Sequence, residues 1–249
     1  MRLLKKLFLN VHIHFLTFVY IVFSIIGGYF DLYFYSLLIV IIHEMCHLLM
    51  AYYFNFKIEK VEILPFGAYL SLKDFYFHSI LEELCVVLAG LASHLFLYVF
   101  ISHFCYVNKQ YLLMINSYVF YFNLIPVYPM DGHRIVCLLL QSLLDLKSAM
   151  QLSLKISVFS LVVLGVCYLK MNTLVILCYL LVQQFVFAKY IPQYLRFYYS
   201  QLSTQFPMKK KKIHSVYHYR RGYHNYYWID SVLYDEKEVI YHLLRGIKK

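Results

Sequence analysis

Six long apolar runs, separated by short polar segments, dominate the hydropathy pattern of the chain. A membrane-spanning helix needs about 20 predominantly apolar residues, so these runs predict six spans within residues 1–195. A shorter helix with more polar residues is expected between the fourth and fifth runs, near 134–146. The runs cover residues up to Tyr29 and then, approximately, residues 32–54, 80–107, 111–128, 156–169 and 173–191.

Residues 56–72 carry a different pattern, in which apolar and charged residues alternate with period two as far as Leu64. That period is typical of a β-strand, and Pro65 and Gly67 break it. We therefore expect a short β-hairpin at the membrane surface or under a cover of protein, because lipid cannot satisfy an open strand edge. The predicted fold class is an all-α polytopic membrane protein with about six transmembrane helices, a small interfacial β-hairpin and a short cytoplasmic tail.

Composition supports the membrane assignment. Apolar residues make up 62% of the 249 residues and charged residues 14%, whereas soluble domains have about 45–50% and about 25%. These values exclude an ordinary cytosolic enzyme and a disordered protein. Six cysteines are scattered through the apolar runs without a Cys-x-x-Cys pair, which argues against a disulfide framework and against a cysteine zinc site.

Basic residues are unevenly distributed across the predicted membrane. In the six-span arrangement only Lys109 and Lys170 fall on one side, so the positive-inside rule places both termini in the cytoplasm. The remaining basic residues fall on the cytoplasmic side: Arg2, Lys5, Lys6, Lys57, Lys60, Lys73, Arg134, Lys147, Lys155, Lys189, Arg196 and the basic tail.

The tail, residues 196–249, differs in composition from the rest of the chain. Residues 209–249 contain ten Lys and Arg against four Asp and Glu, and so carry +6 of the formal net charge of +10. A polybasic stretch after an apolar span favours an anionic lipid surface as a partner, and we expect no nucleic-acid partner. We predict a hairpin over Ile213–Ile229 that turns near Arg221–Gly222, and a short helix over Asp235–Arg245. Aromatic residues that interleave with the charge suit the same lipid surface or a cytoplasmic partner: Tyr217, Tyr219, Tyr223, Tyr226, Tyr227 and Trp228.

The second apolar run contains His43-Glu44-Met45-Cys46-His47. One carboxylate near mid-bilayer costs about 2.5 kcal/mol or more, so ionisable groups at this depth usually line a functional cavity. Residues i and i+4 share one helix face, so both imidazoles can bind one zinc ion while Glu44 projects beside it. Zinc lowers the pKa of water, and the glutamate can take the water's proton during attack on a carbonyl, so the motif indicates metal-assisted peptide hydrolysis. Cys46 points away from the face of the two histidines and is interpreted as packing.

A catalytic zinc ion usually has three protein ligands, and Asp131 is the best candidate for the third. It follows a segment at the end of the fourth run, beginning at Asn123, in which two prolines break the helix. Backbone groups released in this way are tolerated at membrane depth only when protein or water satisfies them, and Gly132 permits a tight turn. Taken by itself, the segment is also compatible with an ordinary loop that carries a solvated aspartate.

Together the two motifs resemble those of the site-2 proteases, a family of intramembrane zinc metalloproteases. The family signature combines His-Glu-x-x-His on one membrane helix with Asn-x-x-Pro and a following Asp-Gly on a later one. Ala89-Gly90 is similar to an Ala-Gly stretch in the third core helix of the family, although the proline common after it is missing here. Size, span plan and tail are most similar to members that act in sporulation on a sigma-factor precursor. In this sequence the signature residues are His43, Glu44, His47, Asn123, Pro126, Asp131 and Gly132.

The resemblance implies hydrolysis of a peptide bond in or near the membrane segment of a membrane-associated protein substrate. It implies that His43, His47 and Asp131 hold one zinc ion per chain. Glu44 would act as general base and then proton donor, and Asn123 would bind the substrate backbone or the developing oxyanion. The implied location is a bacterial cell membrane or the membrane surrounding a forespore, where membrane-bound regulatory or inhibitory proteins could act on the enzyme.

Several alternatives stay open at this point. A non-catalytic zinc-binding scaffold or a metal carrier would keep part of the motif, although a carrier needs polar groups along several helices. His94, in the third run, suits a contact to the site or to an inhibitor as well as a helix–helix hydrogen bond. The tail is too short for a pair of nucleotide-sensing CBS motifs and resembles at most one degenerate half. The hairpin around Val61–Leu70 could pair with an extended substrate strand.

Overall fold

A computed structural model of the protein describes residues 11–13, 15–64, 67–72, 78–105, 108–167, 171–201, 211–216 and 218–245. The chain divides into two compact units, Met1–Leu124 and Ile125–Lys249, called here the first and the second unit. Helices form most of each unit, as the sequence predicts. The predicted separation of a membrane domain, residues 1–195, from a tail, residues 196–249, stays a prediction.

Four helices make up most of the first unit: α1 (Phe15–Ile26), α2 (Phe30–Tyr53), α3 (Ile80–Phe104) and α4 (Lys109–Leu124). α2 packs against α3 and α4, and α3 packs against α4. Buried aliphatic side chains join the three helices, because each helix presents apolar residues at helical spacing to the other two. The residues of this core cluster are Ile39, Leu97, Ile101 and Ile115.

Local sequence sets the ends of the two longest helices of the first unit. Ser79 and Glu82 form a capping box at the start of α3, in which each side chain accepts a hydrogen bond of 3.2 Å from the other residue's backbone N–H. α2 ends before Asn55, which has a φ of 59°. Asparagine tolerates that left-handed conformation, and its N–H donates to the Tyr52 carbonyl at 3.0 Å.

The predicted hairpin is present, and a third strand extends it. β2 (Ile58–Leu64) pairs antiparallel with β3 (Gly67–Leu72), and β1 (Val11–Ile13) pairs parallel with β2. The predicted turn residue Pro65 lies outside the described residues. Since β2 is the central strand of the three, an added substrate strand could pair only with the outer edge of β1 or of β3.

Three helices among the described residues are long and apolar enough to cross a membrane. Two are α2 and α3, and the third is α6 (Leu146–Cys167) of the second unit. Their outward side chains are exposed and apolar, as lipid requires: Phe96 on α3 is 67% exposed and Phe159 on α6 is 70% exposed. The protein is therefore an integral membrane protein, while the count of six spans stays a prediction.

The helices of the second unit are α5 (Asp131–Leu143), α6 and α7 (Met171–Gln201). α6 begins ten residues before the predicted start of the fifth run, because Asp145 caps it: Asp145 Oδ2 accepts from Ser148 N–H at 3.0 Å. α7 continues through Pro192, beyond the predicted end of the sixth run. Tyr194 and Tyr198, two and six residues after the proline, are buried, so packing stabilises the helix despite the proline.

The tail forms a second three-stranded sheet, from β4 (Lys211–His214), β5 (His224–Ile229) and β6 (Val232–Asp235). The predicted hairpin over Ile213–Ile229 is wrong, because β4 and β5 pair in parallel. The hairpin joins β5 and β6 instead and turns at Asp230 and Ser231, which have φ values of 49° and 64°. These positive φ values suit a tight hairpin turn, which the sequence concealed because neither residue is glycine. The final helix, α8 (Ile240–Arg245), is shorter than predicted.

Two of the aromatic residues predicted to form a docking surface are buried within the second unit. Tyr219 is 4% exposed and Tyr227 is fully buried, and burial raises the pKa of both hydroxyls. The Tyr219 ring packs against Tyr198 and Tyr199 of α7, with centroids 5.6 and 5.7 Å away. Tyr217 lies outside the described residues, whereas Trp228 is 55% exposed. Two of the six interleaved aromatic residues, Tyr219 and Tyr227, therefore belong to the interior of the second unit.

Candidate metal centre

His43 and His47 lie one turn apart on α2 and are both buried, with exposures of 2% and 4%. Their Nε2 atoms are 3.0 Å apart and the ring planes are perpendicular. The four-residue spacing brings both rings to the helix face that packs on α3. The structure thus pairs the two imidazoles as the sequence predicts.

The protonation pattern of His47 is set by the backbone of α3. His47 Nδ1 lies 2.7 Å from the Val86 carbonyl oxygen, which can only accept a hydrogen bond. Nδ1 therefore carries the proton, and in the neutral ring Nε2 carries the lone pair. A histidine held in this way presents Nε2 as its metal-binding atom.

Two side chains set the protonation pattern of His43. Asn116 on α4 donates from Nδ2 to the His94 carbonyl at 2.9 Å, so its Oδ1 faces His94 Nδ1 at 2.8 Å and accepts its proton. His94 Nε2 then accepts from His43 Nδ1 at 3.1 Å. In the neutral ring the lone pair of His43 is left on Nε2, the atom that faces His47 Nε2.

Gly90 on α3 gives the two rings their space. A Cβ atom at this position would lie 2.2 Å from His47 Nε2 and 2.7 Å from His43 Cε1, far inside contact distance. Only a residue without a side chain allows α3 to approach the imidazole pair this closely. The Ala89-Gly90 pair singled out in the sequence therefore has a steric role beside the histidines.

Glu44 and Cys46 lie on the same turn of α2 as the histidines. Both are half-buried, and all six cysteines of the chain have free thiols. The role of Cys46 as a packing residue stays a prediction. Glu44, next to His43 in the chain, carries the carboxylate that the sequence assigns to proton transfer.

Asp131 is the first residue of α5 and is 6% exposed, so the reading of a solvated aspartate in an open loop is wrong. The segment before it is not helical, and the second unit satisfies its backbone. Tyr128 N–H donates to Ser157 Oγ at 2.8 Å, and Gln184 Nε2 donates to the Tyr128 carbonyl at 2.9 Å. Ser157 Oγ in turn donates to Gln184 Oε1 at 2.6 Å. These hydrogen bonds from Ser157 on α6 and Gln184 on α7, called here the bracket, hold the main chain of the non-helical segment in place.

His43, His47 and Asp131 form a group that can hold a metal ion. Each offers one ligand atom, and these atoms lie within 4.8 Å of one another. Two imidazoles and one carboxylate are the donor set of several catalytic zinc sites. Two nitrogens bound to one tetrahedral zinc ion would lie about 3.3 Å apart, close to the separation of the two Nε2 atoms. The residues therefore fit zinc.

Asn123, predicted to bind the substrate, lies near the end of α4 and is half-buried. Its Nδ2 donates to the Val119 carbonyl of its own helix at 3.1 Å. The amide keeps a second N–H and its carbonyl oxygen for other partners. Its role toward substrate stays a prediction.

Sequence reasoning missed Asn116, Ser157 and Gln184. Each is a buried polar residue in an apolar run, and that was the available signal. Their partners are a histidine on another helix and a broken backbone segment, which are distant in the sequence. Only the fold brings them together.

Known proteins resemble this chain in sequence and in fold. The model of peptidase family M50 matches residues 32–109, a segment that contains His43, Glu44, His47 and Gly90. Stage IV sporulation protein FB of Bacillus subtilis (strain 168) is 27% identical over 165 residues, which cover 64% of this chain and 57% of that protein. The structure of a site-2 protease from Methanocaldococcus jannaschii is similar with a TM-score of 0.54 and 22% identity, over 70% of this chain and 88% of that chain. The predicted resemblance to the site-2 proteases is confirmed, and the chain spans less than two thirds of the sporulation protein's length.

Proposed function

Because the chain shares a segment with peptidase family M50 and has the fold of a site-2 protease, we propose that it is an intramembrane zinc metalloprotease. It hydrolyses a peptide bond in or near the membrane segment of a membrane-associated protein. The buried arrangement of two histidines and one aspartate in a membrane protein is costly without such a role.

One observation carries the proposal: the Nε2 atoms of His43 and His47, which carry the lone pairs when both rings are neutral, face each other at 3.0 Å. Two lone pairs repel at this distance, and a cation bound to both removes that repulsion. The Val86 carbonyl and the His94 imidazole enforce this pattern from outside the pair. Such outer partners are typical of metal-binding histidines.

Each site residue has a distinct role in this proposal. His43, His47 and Asp131 hold zinc, which when bound supplies Lewis-acid activation of water and of the substrate carbonyl. Glu44 takes the proton of the attacking water and returns it to the leaving amine. Asn123 binds the substrate backbone or the developing oxyanion through the amide groups that Val119 does not engage.

We propose a membrane-associated sigma-factor precursor as the substrate, and the match to a protein named for stage IV of sporulation supports this proposal. We place both termini in the cytoplasm, the chain in the cell membrane or the membrane around a forespore, and the basic residues 209–212 against anionic lipid. Membrane-bound regulatory proteins are proposed partners.

The experiment compares Glu44→Gln with His43→Ala, each co-expressed with candidate membrane-tethered substrates. Glu44→Gln should abolish cleavage on a gel while the purified protein keeps one zinc ion per chain, because only the proton carrier is lost. His43→Ala should lose both zinc and cleavage. Normal cleavage by Glu44→Gln contradicts the mechanism, and zinc binding without cleavage of any substrate by the wild type favours a zinc-binding scaffold.

A further inference from the structure

We propose that His94 and Asn116 are positioning residues that fix the tautomer of His43 and thereby its ability to bind metal. This inference rests on the proposed zinc site and adds the means by which one ligand is prepared for it. The three side chains come from α2, α3 and α4 of the first unit and are nearly fully buried: His43 is 2%, His94 is 1% and Asn116 is 2% exposed. No bulk water can take over a hydrogen bond in this place.

The direction of the hydrogen bonds is fixed at Asn116. Its Nδ2 donates to a backbone carbonyl, that of His94, and a carbonyl cannot reverse its role. The Oδ1 atom must therefore face His94 Nδ1 and accept from it. Reversing the amide would place two acceptors, Oδ1 and the His94 carbonyl oxygen, against each other. Asn116 thus sets which nitrogen of His94 carries the proton.

His94 transmits this pattern to His43. With its proton on Nδ1, neutral His94 has a lone pair on Nε2, which accepts from His43 Nδ1 at 3.1 Å. His43 must then keep its own proton on Nδ1, and Nε2 remains the metal-binding atom. A ring with the other tautomer would point an N–H toward His47 and could not bind a cation there.

The two metal-binding histidines, His43 and His47, differ in the group that fixes the tautomer of the ring. The partner of His47 is a backbone carbonyl, which accepts whatever the sequence is. The acceptor of His43 is an imidazole, which can equally act as a donor, so it needs a further residue to orient it. That requirement gives Asn116 its function, and it explains a buried amide in a largely apolar helix.

The central experiment measures zinc affinity of the purified full chain in detergent, by competition with a chelator. Asn116→Leu removes the acceptor, and we expect zinc binding at least about tenfold weaker. Asn116→Asp keeps an acceptor oxygen and should bind zinc at least about tenfold more tightly than Asn116→Leu. Ser117→Ala is the matched control, because the Ser117 hydroxyl bonds to the Leu113 carbonyl of its own helix. Equal affinity of Asn116→Leu and wild type overturns the proposal.

A second pair of variants keeps the test independent of folding defects at Asn116. The amide of His94→Gln can accept from His43 and donate to Asn116, so this variant should keep zinc, whereas His94→Leu should lose affinity. Absorption of the cobalt-loaded proteins reports the ligands directly, and the spectrum of His94→Leu should show one nitrogen ligand fewer. Equal zinc loss in both folded variants contradicts the relay of hydrogen bonds.

The tautomer itself can be read without metal. Nitrogen-15 spectra of metal-free, histidine-labelled protein, assigned with His43→Gln, should show the proton of His43 on Nδ1 in the wild type. In Asn116→Leu we expect the proton to redistribute to Nε2. This readout separates the two hypotheses: an unchanged tautomer in Asn116→Leu contradicts the positioning role, whereas absence of zinc from the wild type contradicts the proposed function alone.

Discussion

The two units hold their contributions to the candidate site in different ways. In the first unit the imidazole rings are held directly, by hydrogen bonds to Nδ1 of His43 and of His47 and by the space beside Gly90. In the second unit the described bonds that position Asp131 act on the main chain ahead of it, through Ser157 and Gln184. One unit controls side-chain chemistry and the other controls backbone placement.

The difference follows from the chemistry of the ligands. An imidazole has two nitrogens and presents the correct one only when the other is engaged, so it needs a directional partner. A carboxylate has equivalent oxygens and needs only to be brought to the right place. A substitution in the first unit should therefore change how a ligand binds, and one in the second unit should change where a ligand lies.

The largest effect is expected on removal of a ligand. Asp131→Ala should lose bound zinc and reduce cleavage by about a thousandfold or more, since two imidazoles alone hold zinc poorly. Metal analysis of the purified variant and a gel-based cleavage assay test this prediction. Asp145→Asn is the matched control, because it changes a carboxylate at the end of α5 while asparagine still caps α6. Unchanged zinc in Asp131→Ala would move the third ligand elsewhere.

The next largest effect is expected from filling the space that Gly90 leaves beside the two imidazoles of the first unit. Gly90→Ala places a methyl group against both imidazoles, and we expect loss of zinc affinity of about a hundredfold with the helices still formed. Gly165→Ala on α6 is the control, since its Cβ atom would meet only Leu177 at 4.0 Å and should slightly raise the free energy of unfolding. Zinc titration and circular dichroism distinguish the two. Wild-type zinc affinity in Gly90→Ala contradicts the steric role.

An intermediate effect tests the bracket of the second unit. Gln184→Leu leaves the Tyr128 carbonyl without its donor and should lower the free energy of unfolding by about 1–3 kcal/mol. Zinc affinity should fall about tenfold, because Asp131 follows the released segment. Thermal unfolding in detergent and zinc titration measure the two effects, with the half-buried neighbour changed in Gln183→Leu as the control. If Gln184→Leu lowers stability alone, the bracket serves the fold and not the site.

The smallest effect is a pH dependence between α5 and α6. Burial favours a raised pKa of the Asp145 carboxyl, but hydrogen bonds from Ser148 and His218 outweigh it and hold the pKa below its usual value. Because the folded-state pKa is depressed, the contribution of Asp145 is present above about pH 4 and is lost as the pH falls through the folded-state pKa. In unfolding curves recorded from pH 6 to pH 3, the free energy of unfolding of Asp145→Asn should therefore fall less than that of the wild type, by up to about 1 kcal/mol. Identical curves for both proteins would contradict it.

The interior of the tail shows where sequence patterns were insufficient. Tyr219 and Tyr227 look like surface residues because they stand among lysines and arginines, yet both are buried. Arg221 donates to Gln141 Oε1 on α5 at 2.8 Å, and the Tyr219 carbonyl accepts from Leu146 N–H at 2.9 Å. The residues of the tail therefore contact α7 about 20 positions away, and α5 and the start of α6 more than 70 positions away, and no local pattern records that.

The sequence alone determined the membrane class, the hairpin of β2 and β3, and the pairing of His43 with His47, because each depends on a period of two to four residues along one element. The tertiary structure decided which nitrogen of each histidine faces the metal position, why Gly90 is required, and how Ser157 and Gln184 hold the segment before Asp131. Those features depend on contacts between helices that are far apart in the chain. Periodicity fixes what a single helix or strand presents, and packing between elements fixes what each side chain can do there.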